Sequence, residues 1–466
     1  MSQRARLTLL LLIFLASAAS MRAQTIRVSC PEFRVNANQR IACIEALFSQ
    51  EHYHLTLASL PTSNGFGPGI VFTQSFTGTT NGQELDLSAT GAVTTNGSWF
   101  AGGDATWSLP FLSFDDCTLK QNARSQPCTD EHNLASAATL NWHTTSLHLN
   151  GSHRSVRTLY FYGPGSRSPA TRYTYAEDDT WGEFDARIPV ARDLVLTGES
   201  QLEASTLPPP NDPTSVFLNI PSAKIPGITQ QPLYVNSSIG LDSRVVRQFN
   251  WPLHRLPVGA PHLQPIIEME LDNKASEHFQ QPTDGSAFAF RQFRFDGDEH
   301  FDLRGILKNG FVAADHPIAY HFLCQGQNRQ TDLCHLMMFD IKSHLALSNT
   351  SGAHQLPFYL QPTLGGNDID GNVTLRGWDD YRFRDCDAAI LQFEADYIVW
   401  DPFGVYAFYD GGTVAPTAGG LALSNFRNDA GIGVFARIQG SIIAQTYYAW
   451  GRGNGGRWSF NFAKFF

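Results

Sequence analysis

The sequence predicts an all-β chain folded as a transmembrane antiparallel β-barrel. Three observations predict it. Apolar residues recur with period two along most of the chain. The alternating segments run about 10 residues, the length a tilted strand needs to cross a bilayer. Aromatic residues gather near the segment ends, as in Tyr397 with Trp400, Tyr447 and Tyr448 with Trp450, and Trp458, which suits interfacial girdles.

Composition agrees. Of 466 residues, 16% are Asp, Glu, Lys or Arg and 12% are aromatic, led by 33 Phe. Soluble proteins carry about 25% charged residues. Low charge without long apolar runs suggests β-structure with one face in unusual surroundings. The net charge of -10, with no basic stripe, argues against a nucleic-acid partner.

Arg4 and Arg6 precede an apolar run at residues 7–19, and small residues follow. That is the order of a secretory signal peptide, expected at residues 1–23. Ala16-Ser17-Ala18 and Ala23-Gln24 are the two plausible cleavage points. The run is too short to span a bilayer, and no later segment reads as a transmembrane helix. Residues 24–51 read as a short periplasmic segment. Within it Ile41, Ile44, Leu47 and Phe48 share one helical face, suited to plugging a lumen or strapping a rim. Residues 52–466 read as the barrel.

Seven cysteines suit an oxidising compartment. Six form close pairs that would each close a short loop: Cys30 with Cys43, Cys117 with Cys128, Cys324 with Cys334. Spacing does not select among the possible connectivities. Cys386 is left over. The spacings are not those of a zinc site.

The last third shows the alternation most clearly. In residues 390–400, Leu391, Phe393, Ala395, Tyr397 and Val399 take one face, and Gln392, Glu394 and Asp396 the other. Ala430, Ile432, Val434, Ala436 and Ile438 share a face, as do Trp458, Phe460, Phe462 and Phe466. Turn signals stand at Asn64-Gly65, Gly163-Pro164-Gly165, Asp296-Gly297 and Gly453-Asn454-Gly455-Gly456. Residues 201–232 and 275–300, richer in Pro, Asn or Asp, read as loops.

A run of motifs begins at residues 356–366, passes through Leu375-Arg376-Gly377-Trp378 and residues 382–385, reaches Phe408-Tyr409-Asp410-Gly411-Gly412 and closes on Phe466. In this order residues 356–466 resemble the Omp85 superfamily of outer-membrane barrels, in its bacterial surface antigen (D15) or BamA/TamA-like branch. Weaker similarity lies at residues 64–72 and 161–166. The family's [VI]RG[FY] sequence has Leu and Trp here, departures of the same chemical kind. The resemblance implies about 16 strands, an even number as bacterial barrels require.

It also implies that the arginine loop folds back into the barrel and that Arg376 meets Asp410 in the lumen. Period two independently turns Phe408 and Asp410 inward, opposite Val405 and Ala407, and turns Glu394 inward on the preceding strand. The expected loop-lumen lock is therefore Arg376, Gly377, Trp378, Phe408, Asp410, Gly412 and Glu394. The surplus aspartates of residues 364–385 are expected on solvated limbs. Most family members carry POTRA repeats before the barrel, and residues 24–51 are too few for one. By resemblance the partners are outer-membrane lipid and, in the translocating members, unfolded client proteins or periplasmic factors. The implied task is insertion or translocation of proteins, or of lipid, at the bacterial outer membrane through a weakly paired seam between first and last strands. The alternative is a passive structural or pore-forming barrel.

No nucleophile elbow, zincin or Walker sequence occurs. His52 and His54 read as interfacial. Glu394, Asp396 and Asp410 do not read as a glycosidase acid pair once they are placed in a lumen, where carboxylates meet loop arginines. Asp368-x-Asp370-x-Asn372 departs from a calcium loop at its sixth and twelfth positions. No catalytic residue, cofactor or metal is therefore expected.

Overall fold

The computed structural model describes residues 53–59, 64–77, 83–109, 144–191, 193–209, 212–250, 266–304, 335–352, 354–368, 371–400, 403–438, 441–451 and 455–462. The expected signal peptide, residues 24–51, the six pairable cysteines, His52 and Phe466 lie outside the described residues.

Among the described residues the chain forms one antiparallel sheet of 16 strands, curled as a barrel so that its end strands meet. In order they are β1 (Tyr53–Ser59), β2 (Phe66–Thr77), β3 (Glu84–Val93), β4 (Trp99–Leu109), β5 (Thr145–Phe161), β6 (Tyr173–Ala191), β7 (Leu194–Thr206), β8 (Leu233–Asn250), β9 (Ile266–Pro282), β10 (Phe290–Arg304) and β11 (His335–Asn349). A two-residue pair, β12 (Thr363–Leu364) and β13 (Phe383–Arg384), interrupts the meander. The barrel resumes with β14 (Asp387–Trp400), β15 (Phe403–Ala415), β16 (Arg427–Ile438), β17 (Ser441–Gly451) and β18 (Gly455–Phe462). Each barrel strand pairs with its neighbour in sequence, β11 passing directly to β14. Only short local connections are needed to make such a sheet.

Strand side chains alternate between faces, and the burial follows. Along β15, Phe403, Val405 and Tyr409 are exposed while Tyr406, Phe408 and Asp410 are buried. Ile70, Leu149, Ile239, Ile432, Trp450, Trp458 and Phe460 are likewise exposed. Water would penalise so extended an apolar outer face, whereas hydrocarbon would not. No helix among the described residues is long and apolar enough to cross a membrane.

The two end strands, β1 and β18, lie beside one another. Among the described residues they share no ladder: β1 pairs only with β2 and β18 only with β17.

Connections between strands pack part of the interior. Tyr175, Leu159 and Phe161 of β5 and β6 pack with Leu207, Val216 and Ile225 of the β7–β8 connection and with Phe358, Tyr359 and Tyr381 of the β11–β14 connection. The β7–β8 connection includes a short helix, α1 (Val216–Asn219), capped by the Ser215 hydroxyl. A second cluster joins Leu364, Leu375, Trp378 and Phe383 to Ala388, Ile390 and Val414 on the inner wall.

Three sequence expectations are corrected. Asp296-Gly297 is no turn but lies mid-strand in β10. The Asp296 carboxylate meets the His344 ring at 2.6 Å across the inner wall, so its charge does not end the strand. Most of residues 275–300 is strand, the loop shrinking to the link between β9 and β10, and residues 201–206 belong to β7. Tyr447 does not join a girdle. It is buried, edge-on to Phe408 at 5.4 Å, in a lumenal cluster with Ile398, Tyr406 and Phe435.

Candidate functional site at the returning loop

The β11–β14 connection turns back into the barrel, and its backbone explains how. The paired β12 and β13 form its neck. Beyond the neck Gly365 and Gly366 adopt φ of 114° and 53°, the left-handed region where a side chain is strained. The Gly366 N–H then donates to the Leu375 carbonyl at 2.8 Å, closing a small hairpin that carries Arg376 at its returning end. Tyr381 has φ of 55°, the one positive value outside glycine among the described residues, and its N–H donates to the Gly365 carbonyl at 3.0 Å.

This fold delivers Arg376 to the inner wall. Its Nε donates to Asp410 Oδ2 at 2.8 Å and its Nη2 to Asp410 Oδ1 at 2.8 Å. Nη1 donates to Glu394 Oε2. The Arg376 backbone N–H adds a bond to Asp410 Oδ2 at 3.2 Å. The guanidinium carbon sits 3.5 Å from the centre of the Phe408 ring, within cation–π range. Arg376 is 6% exposed and Asp410 fully buried. Burial opposes the arginine's charge, but the bonds and charge of Asp410, then of Glu394, raise its pKa above the ordinary value. A forked, charge-assisted pair of this kind is both strong and directional.

The neighbouring residues complete the seat. Gln392 donates to Asp410 Oδ1 at 3.2 Å and to the Thr374 carbonyl at 2.9 Å, bridging wall and loop. Trp378 packs edge-on to Phe383 at 5.0 Å. A Cβ on Gly412 would lie 3.0 Å from Leu364 Cδ1, so this glycine admits the apolar side chain at the loop's neck. All seven of the expected lock residues thus lie on this loop or on the wall against it.

Sequence reasoning missed much of the fastening. Arg382 gives Ser168 two bonds, to Oγ at 2.6 Å and to the carbonyl at 2.8 Å. Arg384, 1% exposed, donates to the Phe358 carbonyl at 2.5 Å and the Tyr175 hydroxyl at 2.8 Å. Arg457 of β18 donates to Asp380 at 2.8 Å and to the Trp378 carbonyl. Asp380 and Asp385 are both buried, so the expectation that surplus aspartates lie on solvated limbs fails for them. Asp380 is held by Arg457 and by the Asn367 N–H, Asp385 by the Cys386 N–H. The alternation Arg382-Phe383-Arg384 was the only signal, since an extended segment turns both arginines to one side.

Beside the loop lies a lumenal cavity of about 1050 Å³ with a charged wall that includes Arg154, Glu177, Asp272, Lys274, Arg294 and Asp340. Two side-chain groups among the described residues are close enough to hold a metal: His148 with Glu183 and Asp185, and Asp340 with Glu394 and Asp396.

Comparison with known proteins adds the following. No protein-family model and no curated protein matches the chain. Among solved structures it is similar to BamA from Haemophilus ducreyi lacking POTRA domains 1–3, at 12% identity and a TM-score of 0.45, over 88% of this chain and 70% of that one. It is also similar to CdiB from Acinetobacter baumannii, at 9% identity and a TM-score of 0.43, over 91% of this chain and 68% of that one.

Proposed function

We propose that this chain is a bacterial outer-membrane barrel of the Omp85 type. Its task in this reading is insertion or translocation of proteins, or of lipid, with β1 and β18 as the working seam. The observation that carries the proposal is the pair of end strands, which lie together and, among the described residues, share no ladder. A break between two ladders is where another strand can be templated, and a hydrocarbon setting favours filling such a break. An extended client segment or a lipid passing sideways is the natural occupant of such a break.

The returning loop supports the same reading. It is fixed to the inner wall through Arg376, Asp410 and Glu394. In this reading the loop braces the wall while the seam serves as the route. Outer-membrane lipid is the expected surrounding, and unfolded clients or periplasmic factors the expected partners.

The test is reconstitution of the whole protein in liposomes with an unfolded client barrel. Faster client folding than in empty liposomes supports the proposal, and disulfide cross-linking of β1 to β18 should abolish the gain. No acceleration would favour the passive barrel.

A further inference from the structure

The inner wall below Arg376 carries a second arrangement. Asp340 of β11 and Glu394 of β14 stand opposite one another, and Asp396 follows two residues along the same face, opposite Met338. Their carboxylates approach until one oxygen from each lies within 4.8 Å of the others. Two of the three have partners. Glu394 Oε2 accepts from Arg376, and Asp340 Oδ1 meets the His300 ring. Each keeps a second oxygen. Asp396 is different: it is 4% exposed, and its Oδ1 has no hydrogen-bond partner among the described residues. A buried carboxylate without a partner is costly, and native proteins rarely leave one so.

We infer that Asp340, Glu394 and Asp396 form a binding site for a hard divalent cation, with calcium the best match. The donors are all carboxylate oxygens, which hard cations favour. Calcium–oxygen distances of about 2.3–2.6 Å put opposite ligands about 4.6–5.2 Å apart, so the three groups can close on calcium with side-chain adjustment alone. Magnesium, with shorter bonds and stricter octahedral geometry, needs a tighter approach. The bound ion supplies the counter-charge for Asp396 and ties β11 to β14. It also steadies Glu394 from the side away from Arg376. This inference rests on the wall geometry and not on the proposed translocation.

Terbium luminescence tests it, with Tb³⁺ standing in for calcium and Tyr406, paired with Asp396 across β14 and β15, as the antenna. The folded whole protein in detergent, stripped with EDTA, should give saturable tyrosine-sensitised emission that calcium displaces. Asp396→Asn and Asp340→Asn should each weaken Tb³⁺ binding roughly tenfold or more, whereas Glu183→Gln, in the other acidic group, should leave it unchanged. Heat-modifiable gel migration checks that each variant has folded, and Asp340→Asn decides the matter if Asp396→Asn does not fold. Absence of saturable emission from the wild type overturns the inference. Equal weakening by Glu183→Gln also overturns it, since that marks diffuse accumulation in an acidic lumen.

Discussion

Gly377 of the returning loop and Gly451 at the end of β17 lie backbone to backbone. A Cβ on Gly377 would stand 2.7 Å from the Gly451 nitrogen, and one on Gly451 would stand 2.5 Å from the Gly377 carbonyl oxygen. Neither obstacle is a flexible side chain that could swing away. Gly451→Val should therefore lift the loop from the wall, costing about 1–3 kcal/mol as overpacking does. Limited proteolysis within residues 364–385 is the measurement. Protection equal to wild type would show that the loop seats without this contact.

Arg376→Ala removes the cation from a fully buried carboxylate. The expected loss is about 3–5 kcal/mol, the usual cost of orphaning one member of a buried pair. Arg376→Lys should recover only part of it, because an ammonium cannot reproduce the fork on Asp410. The temperature at which the folded gel band converts to the unfolded one ranks the three proteins, and identical rank for Lys and Arg would refute the fork's importance.

Asp380 and Arg457 couple the loop to β18. A double-mutant cycle with Asp380→Ala and Arg457→Ala should give a non-additive term of about 0.5–3 kcal/mol. Additive losses would mean that β18 and the loop are energetically independent.

Cys386 lies in the connection beside Asp385 and Asp387. Burial, reinforced by those two carboxylates, pushes its thiol up from an ordinary 9.0 to about 11. The thiol is thus neutral in the folded protein at pH 8, and iodoacetamide should modify it roughly a hundredfold more slowly than an ordinary thiol. Because the folded pKa is the higher one, the linked stability is present below pH 9 and is lost as pH rises through about 11. Peptide mass spectrometry over a pH series reads the rate. Fast labelling at pH 8 would contradict the burial.

Ile432 is exposed midway along β16. If lipid surrounds it, Ile432→Arg should cost about 2–4 kcal/mol in lipid or detergent refolding titrations. A soluble protein would tolerate the change, so an unaltered midpoint would count against the membrane setting.

Much of this was legible in the residues. Strict alternation through Leu391, Phe393 and Val399, and again through Ile432 and Val434, marks strands with one apolar and one polar face. Leu375-Arg376-Gly377-Trp378 and Phe408-Tyr409-Asp410 could be paired because the resemblance to the barrel family implies that contact, and period two independently turned Asp410 and Glu394 inward. Asp296-Gly297 misled because turn propensity is local, while the His344 ring that accommodates Asp296 comes from another strand. Arg384 was illegible for a related reason. Its partners are a carbonyl and a phenol, Phe358 and Tyr175, and neither announces an arginine in sequence. Asp380 looked solvated because its cation, Arg457, lies a whole run of strands further on.

The loop's fastenings also impose a chronology on the chain. It holds Ser168 and Tyr175, at the entrance to β6, and Arg457, on the final strand. No unfinished sheet can offer both. Docking of Arg376 needs only β14 and β15, but the last fastening, Asp380 to Arg457, waits for β18, so the fully seated loop serves as the barrel's certificate of completion. A chain truncated before Gly455 would keep the Asp410 carboxylate yet lose the grip on Asp380, leaving its loop open to quality-control proteases.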